Sequence, residues 1–145
     1  MKNDKTKEVC SAIKLVNDRL HFIGSACDND PVSIDYISPL GDDLGYTSLE
    51  LLLLSFSSCL GSAMLTFLRR MNRTISGFEI HSSGLRKEEH PTGFKSILLE
   101  IKLNSPDVTD EEVKKVIALA EDKYCPVWSM IKGNTTVETK FAIVR

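Results

Sequence analysis

The chain has no excess of basic charge. Eighteen Lys and Arg face twenty Asp and Glu, a formal charge of −2 over 145 residues, so the electrostatic attraction to a phosphate backbone is missing and nucleic acid is not expected as a partner. Cysteine is sparse and unpatterned for metal. The four, at 10, 27, 59 and 125, form no C-x-x-C, and His21, His81 and His90 stand at no finger-type spacing from them. Neither a zinc site nor a disulfide scaffold is expected, and no cofactor is implied. The first eleven residues, MKNDKTKEVCS, alternate charges and lack the apolar core of a secretory leader, which points to the reducing cytoplasm. Five prolines and eight glycines nowhere gather into a linker, and no repeat or low-complexity tract interrupts the chain, so one domain over residues 1–145 is expected. A chain this long buries roughly two-thirds of its unfolded surface, enough to fold without covalent staples.

Long hydrophobic runs are scarce, with one exception. Residues 51–68, LLLLSFSSCLGSAMLTFL, pass eighteen positions without a charge, the lower limit of a membrane span. Six of those positions are Ser, Thr or Gly, and Glu50 and Arg69 close the run tightly, so a helix in the core of a soluble protein is the better reading and no membrane is expected. Thr47 and Glu50 form a capping box that starts it, and the helix is predicted over residues 47–71. Ser55, Ser58, Cys59 and Ser62 share one side, while Leu52, Leu53, Phe56, Leu60, Met64 and Phe67 spread around the rest. A helix apolar nearly all round is expected to be buried nearly all round.

Around it the sequence alternates. Residues 10–16, 20–26 and 32–38 read as short strands, the first two split by Asn17-Asp18-Arg19, and a Gly- and Asp-rich loop follows at 39–45. A turn at Asp18-Arg19 sets Cys10 across from Cys27; a turn at Asn17-Asp18 sets it across from Ser25. Residues 75–85 and 94–104 read as a hairpin. Thr109 and Glu112 make a second capping box, opening a helix with Val113, Val116, Ile117, Leu119 and Ala120 inward and an end near Lys123. Residues 134–143 close the chain as a strand. The order predicts an α+β fold: a mainly antiparallel sheet with long helices on one face.

Two cysteines sit where chemistry is possible. Cys59 lies mid-helix, too far from the N-terminus for the dipole to activate it, so it is either packing or a thiol activated by a tertiary neighbour. Cys125 precedes Pro126, which favours the first position of a helix, so Cys125 is predicted to cap a short helix through Ile131; backbone N–H groups converging on its sulfur would favour thiolate. Glu50 is explained as a cap and Arg19 as a solvated turn residue, unless the fold recruits them.

Glu50-Leu51-Leu52-Leu53, then Cys59 with Leu60 and Gly61, then Lys123-Tyr124-Cys125-Pro126-Val127, taken in that order, resemble the OsmC/Ohr family over about residues 36–145. The likeness is to OsmC-like proteins rather than the organic-hydroperoxide-resistance branch proper. That branch places a glutamate ten residues before the cysteine, where this chain has Leu49 with Glu50 one position on. The resemblance implies an intertwined homodimer with central helices back to back, a packing that the side bearing Ser55, Ser58 and Ser62 fits, although that side could equally meet the chain's own sheet. It implies a peroxidase with Cys59 as peroxidatic thiolate, Cys125 as resolving thiol, an external dithiol as reductant, and an arginine orienting the thiolate, for which Arg19 is the only candidate before position 69. A pocket lined by Leu52, Phe56 and Trp128 would favour organic hydroperoxides over hydrogen peroxide. The competing expectation is a catalytically inactive dimer of the same fold that binds a small apolar ligand.

Overall fold

The structure, a computed structural model, describes residues 4–145. The chain divides into two compact units at Leu51/Leu52, within the first turn of a helix that runs Ser48–Arg70 (α1).

The first unit is a three-stranded antiparallel sheet of β1 (Ala12–Leu15), β2 (Phe22–Ser25) and β3 (Val32–Ile34), in that order. Ala12 pairs with Ser25 and Leu15 with Phe22, the register of a turn centred on Asp18-Arg19. Continued outward, that register aligns Cys10 with Cys27, but the ladder stops at Ala12 and both cysteines are exposed outside it, Cys27 with a φ of 53°. The third strand ends at Ile34, short of the predicted residue 38, because the buried Asp35 carboxylate takes over the chain's hydrogen bonding. It accepts from the backbone N–H groups of Tyr36 at 2.7 Å and of Asp42 and Leu44 at 3.2 Å each. Burial alone would raise this carboxyl; those N–H donors, with His21 nearby, hold it below the usual range. Loop 36–45 folds tightly around this group. Gly41 is required there, since a β-carbon would collide with the Tyr36 carbonyl oxygen.

The second unit sets α1 against a sheet of β4 (Gly77–Arg86), β5 (Phe94–Asn104) and β6 (Thr136–Val144), in the order β4-β5-β6. β4 and β5 form the predicted hairpin. The closing strand pairs parallel to β5, whereas β1 with β2, β2 with β3 and β4 with β5 are antiparallel. A parallel neighbour demands a crossover, and the helical segment between β5 and β6 supplies it. Alternation along β5 turns Ile97, Leu99, Ile101 and Leu103 inward, and Phe56, Leu60, Met64 and Leu68 of α1 are buried in the same core. Gly61 lets the helix approach β4, where a β-carbon would stand 3.0 Å from the Phe78 ring.

The burial of α1 is narrower than its composition predicts. Leu54, Ser55, Ser58, Ser62 and Thr66 are exposed, and only a third of the helix's most apolar stretch is buried within the chain. One sheet covers one stripe of a helix, however apolar the remainder. The side bearing Ser55, Ser58 and Ser62 therefore does not meet the chain's own sheet. By length and composition alone α1 could cross a membrane, but its stripe at positions 56, 60, 64 and 68 is the signature of a helix packed on a core.

Candidate active site

Both capping boxes expected from sequence are formed. At α1 the Thr47 N–H and hydroxyl each donate to Glu50 Oε1 at 2.9 Å, and the Glu50 N–H donates to Thr47 Oγ1 at 3.2 Å. At α2 (Asp110–Leu119) Thr109 and Glu112 cap reciprocally. Glu112 also takes the Arg73 guanidinium on both oxygens, Nε at 2.9 Å from Oε1 and 3.1 Å from Oε2, tying the chain just beyond α1 to the start of α2.

These anchors fix the segment carrying the second thiol. The helix predicted to run unbroken to about Lys123 instead widens after Leu119 into a π-turn, Ala120–Tyr124, closed by the Cys125 N–H on the Ala120 carbonyl at 2.9 Å. Cys125 then leaves helical geometry (φ −106°, ψ 97°), and Pro126 opens a short helix, α3 (Pro126–Ile131), with Cys125 as its N-cap. Its sulfur accepts the Trp128 N–H at 3.4 Å.

The fold brings this sulfur to Cys59. The two sulfurs, 66 residues apart in sequence, are close enough for Cys59 to act on the Cys125 thiol. Cys59 is half-buried; Cys125 is 1% exposed. Burial pushes the Cys125 thiol up to about 12, and neighbouring Cys59 adds to this, while the N–H groups of Trp128 and Val127 act in the opposite direction. The expectation that the cap would favour a Cys125 thiolate is thus corrected: backbone donors do converge on the sulfur, but desolvation outweighs them.

The pocket is also rearranged from its predicted form. Phe56 and Trp128 pack edge to face, centroids 5.4 Å apart, inside the core. Neither they nor Leu52 line the groove beside Cys59. The groove beside Cys59, about 460 Å³, is lined by Ser62, Ala63, Thr66, Phe67, Arg70, Tyr124 and Pro126. Phe67 and Tyr124 meet edge to face at 4.7 Å, and the Arg70 guanidinium lies 5.7 Å from the Phe67 centroid. Sequence reasoning missed Phe67, Arg70 and Tyr124 as lining residues. The signal was present, since positions 59, 62, 63, 66, 67 and 70 continue one helical face and Tyr124 adjoins Cys125.

The other two candidates each hold partners of their own. Glu50 is held in its cap, and the Thr47 hydrogen bonds keep its carboxyl below the usual range against a small opposing effect of burial. It lies nine residues before Cys59 on α1, about 14 Å along the axis. Arg19 belongs to the first unit, where its Nη1 meets Asp42 Oδ1 at 2.5 Å and its Nη2 donates to the carbonyls of Pro39 and Leu40. It clamps loop 39–42.

Residues 41–140 match the family described as OsmC-like protein. Protein YhfA of Escherichia coli K12 is 22% identical over 125 residues, covering 86% of this chain and 91% of YhfA. Among solved structures, an OsmC-like protein from Mycoplasma pneumoniae superposes with a TM-score of 0.79 at 17% identity, over 95% of this chain and 98% of that one. An organic hydroperoxide resistance protein from Legionella pneumophila does so with a TM-score of 0.73 at 16% identity, over 93% and 96% of the two chains.

Proposed function

The chain belongs to the OsmC-like protein family, and from that premise we propose that it is a cysteine-based peroxidase of organic hydroperoxides, with Cys59 as the attacking thiolate and Cys125 as the resolving thiol. One observation carries this reading: two sulfurs from distant parts of the chain are neighbours at the edge of a largely apolar groove, which Cys59 lines together with Tyr124 and Pro126 on either side of Cys125. The Cys59 thiolate attacks the peroxide, the O–O bond breaks, and Cys59 becomes a sulfenic acid as an alcohol departs. Cys125 then condenses with the sulfenic acid, releasing water and forming the Cys59–Cys125 disulfide. An external dithiol in the cytoplasm returns both thiols. Ala63, Phe67, Tyr124 and Pro126 offer apolar and aromatic surface to an organic tail, which supports organic hydroperoxides over hydrogen peroxide.

A homodimer completes the proposal. Leu54, Ser55, Ser58 and Ser62 leave one side of α1 open. We assign this surface to a second copy, whose small-residue side would allow close helix approach; sedimentation velocity should give twice the chain mass. Catalysis is tested by titrating the reduced protein with cumene hydroperoxide and counting thiols. Two should be lost per chain, and none in Cys59→Ser. Four unreactive thiols would overturn the peroxidase reading in favour of a dimer that binds a small apolar ligand.

A further inference from the structure

We propose that Cys125, before it resolves the sulfenic acid, is the acid that protonates the departing alkoxide. This rests on the peroxidase reading above and assigns Cys125 a second task within it. When the Cys59 thiolate attacks the hydroxyl oxygen of ROOH, an S–O bond forms, the O–O bond breaks, and the electron pair leaves on RO⁻. That anion is strongly basic and departs readily only if a proton reaches it.

Cys125 holds a proton beside the reacting atom. It neighbours Cys59, it is almost fully buried, and Tyr124 and Pro126 on either side of it line, with Cys59, the groove that would hold the peroxide. Burial keeps this thiol protonated at neutral pH, yet it is far more acidic than an alcohol. Once the proton passes to RO⁻, giving ROH, Cys125 is left as a thiolate beside the new sulfenic acid. Its sulfur attacks Cys59 Sγ, the S–S bond forms, the S–O bond breaks, and hydroxide leaves and takes a proton from solvent. In sum, one thiolate, one thiol, ROOH and one proton yield the disulfide, ROH and water. The Trp128 N–H, 3.4 Å from the Cys125 sulfur, stabilises the thiolate in the interval between the two steps. The groove's other ionisable groups are Tyr124 and Arg70; the tyrosine hydroxyl is the rival acid.

The test compares leaving groups. Single-turnover oxidation of Cys59 is measured by trapping its sulfenic acid, in a background with Cys10 and Cys27 replaced by Ser. Cumene hydroperoxide, which releases an alkoxide, is compared with peracetic acid, whose carboxylate leaves without a proton. For Cys125→Ala the rate should fall about 100-fold with cumene hydroperoxide, the lower end for general acid catalysis, and change by less than about threefold with peracetic acid. Cys125→Ser, which keeps a cap and a donor, should recover part of the loss. Equal losses with both oxidants, no loss with either, or the selective loss appearing in Tyr124→Phe instead would overturn the acid role while leaving the peroxidase intact. An inert Cys59 in the unmodified protein would overturn both.

Discussion

Alkylation of the reduced protein tests the titration of Cys125 directly. At about 12, this thiol is ionised to roughly 3 parts in 100,000 at about pH 7.5, whereas an ordinary thiol near 8.5 is ionised to about one part in ten. Only the thiolate reacts, so Cys125 should be modified by iodoacetamide about 3,000-fold more slowly than the thiol of an unstructured reference peptide in the same reaction, before counting the obstruction of a site 1% open to solvent. Mass mapping of timed samples resolves the two rates, and unfolding in urea should equalise them. The pH dependence has a defined sign: the Cys125 rate should climb about tenfold per unit through pH 9 to 11 with no plateau, while the peptide thiol levels off. If Cys125 is modified as fast as the peptide thiol at neutral pH, or its rate saturates near pH 9, burial does not control this sulfur and the argument from desolvation fails.

Three further outcomes follow from the packing and caps. Leu60→Ala removes a fully buried side chain from the stripe of α1 that faces the sheet and should cost about 2–5 kcal/mol in urea unfolding, whereas Leu85→Ala, 62% exposed on β4, should cost under about 1 kcal/mol. Thr109→Ala removes the cap of α2 and should cost about 1 kcal/mol, with Cys59 oxidation kept if the crossover remains docked. Glu112, held low chiefly by its hydrogen bonds with Arg73 and also by the Thr109 N–H, stabilises the fold above the ordinary carboxylate range, and that contribution disappears as pH falls through its lowered value. The unmodified protein should therefore lose stability more steeply below about pH 4.5 than Glu112→Gln, by thermal melts across pH; parallel curves would exclude the pair as a source of acid sensitivity.

Much of the chain from Thr47 onward was legible because its signals are local. Thr47 with Glu50 and Thr109 with Glu112 announce helix starts through three-residue spacing, Cys125-Pro126 announces an N-cap, and the alternation of residues 94–104 announces β5 and its buried face. What escaped the sequence depends on partners distant along the chain. The parallel pairing of β5 with β6 is invisible in residues 134–143, whose alternation suits either direction. The narrow burial of α1 follows from how many surfaces cover it, which its own apolar residues do not encode. Phe56 and Trp128 read as pocket lining because large apolar side chains suit a pocket as well as a core. Arg19 could be placed in a turn, but not onto the carbonyls of Pro39 and Leu40, because backbone acceptors carry no residue signature. At Cys125 the sequence displayed the donors and concealed the desolvation.

The π-turn at Ala120–Tyr124 makes the length of this stretch matter more than its spelling. Each residue of a helix rotates the chain by about 100° and advances it about 1.5 Å, so losing one position there would swing the second sulfur a quarter-turn or more around the axis, even with every remaining side chain intact. The segment serves as a phase adjuster between two rigid rods: exchanges of its outward-facing letters are cheap, while a single-codon deletion disconnects the thiols.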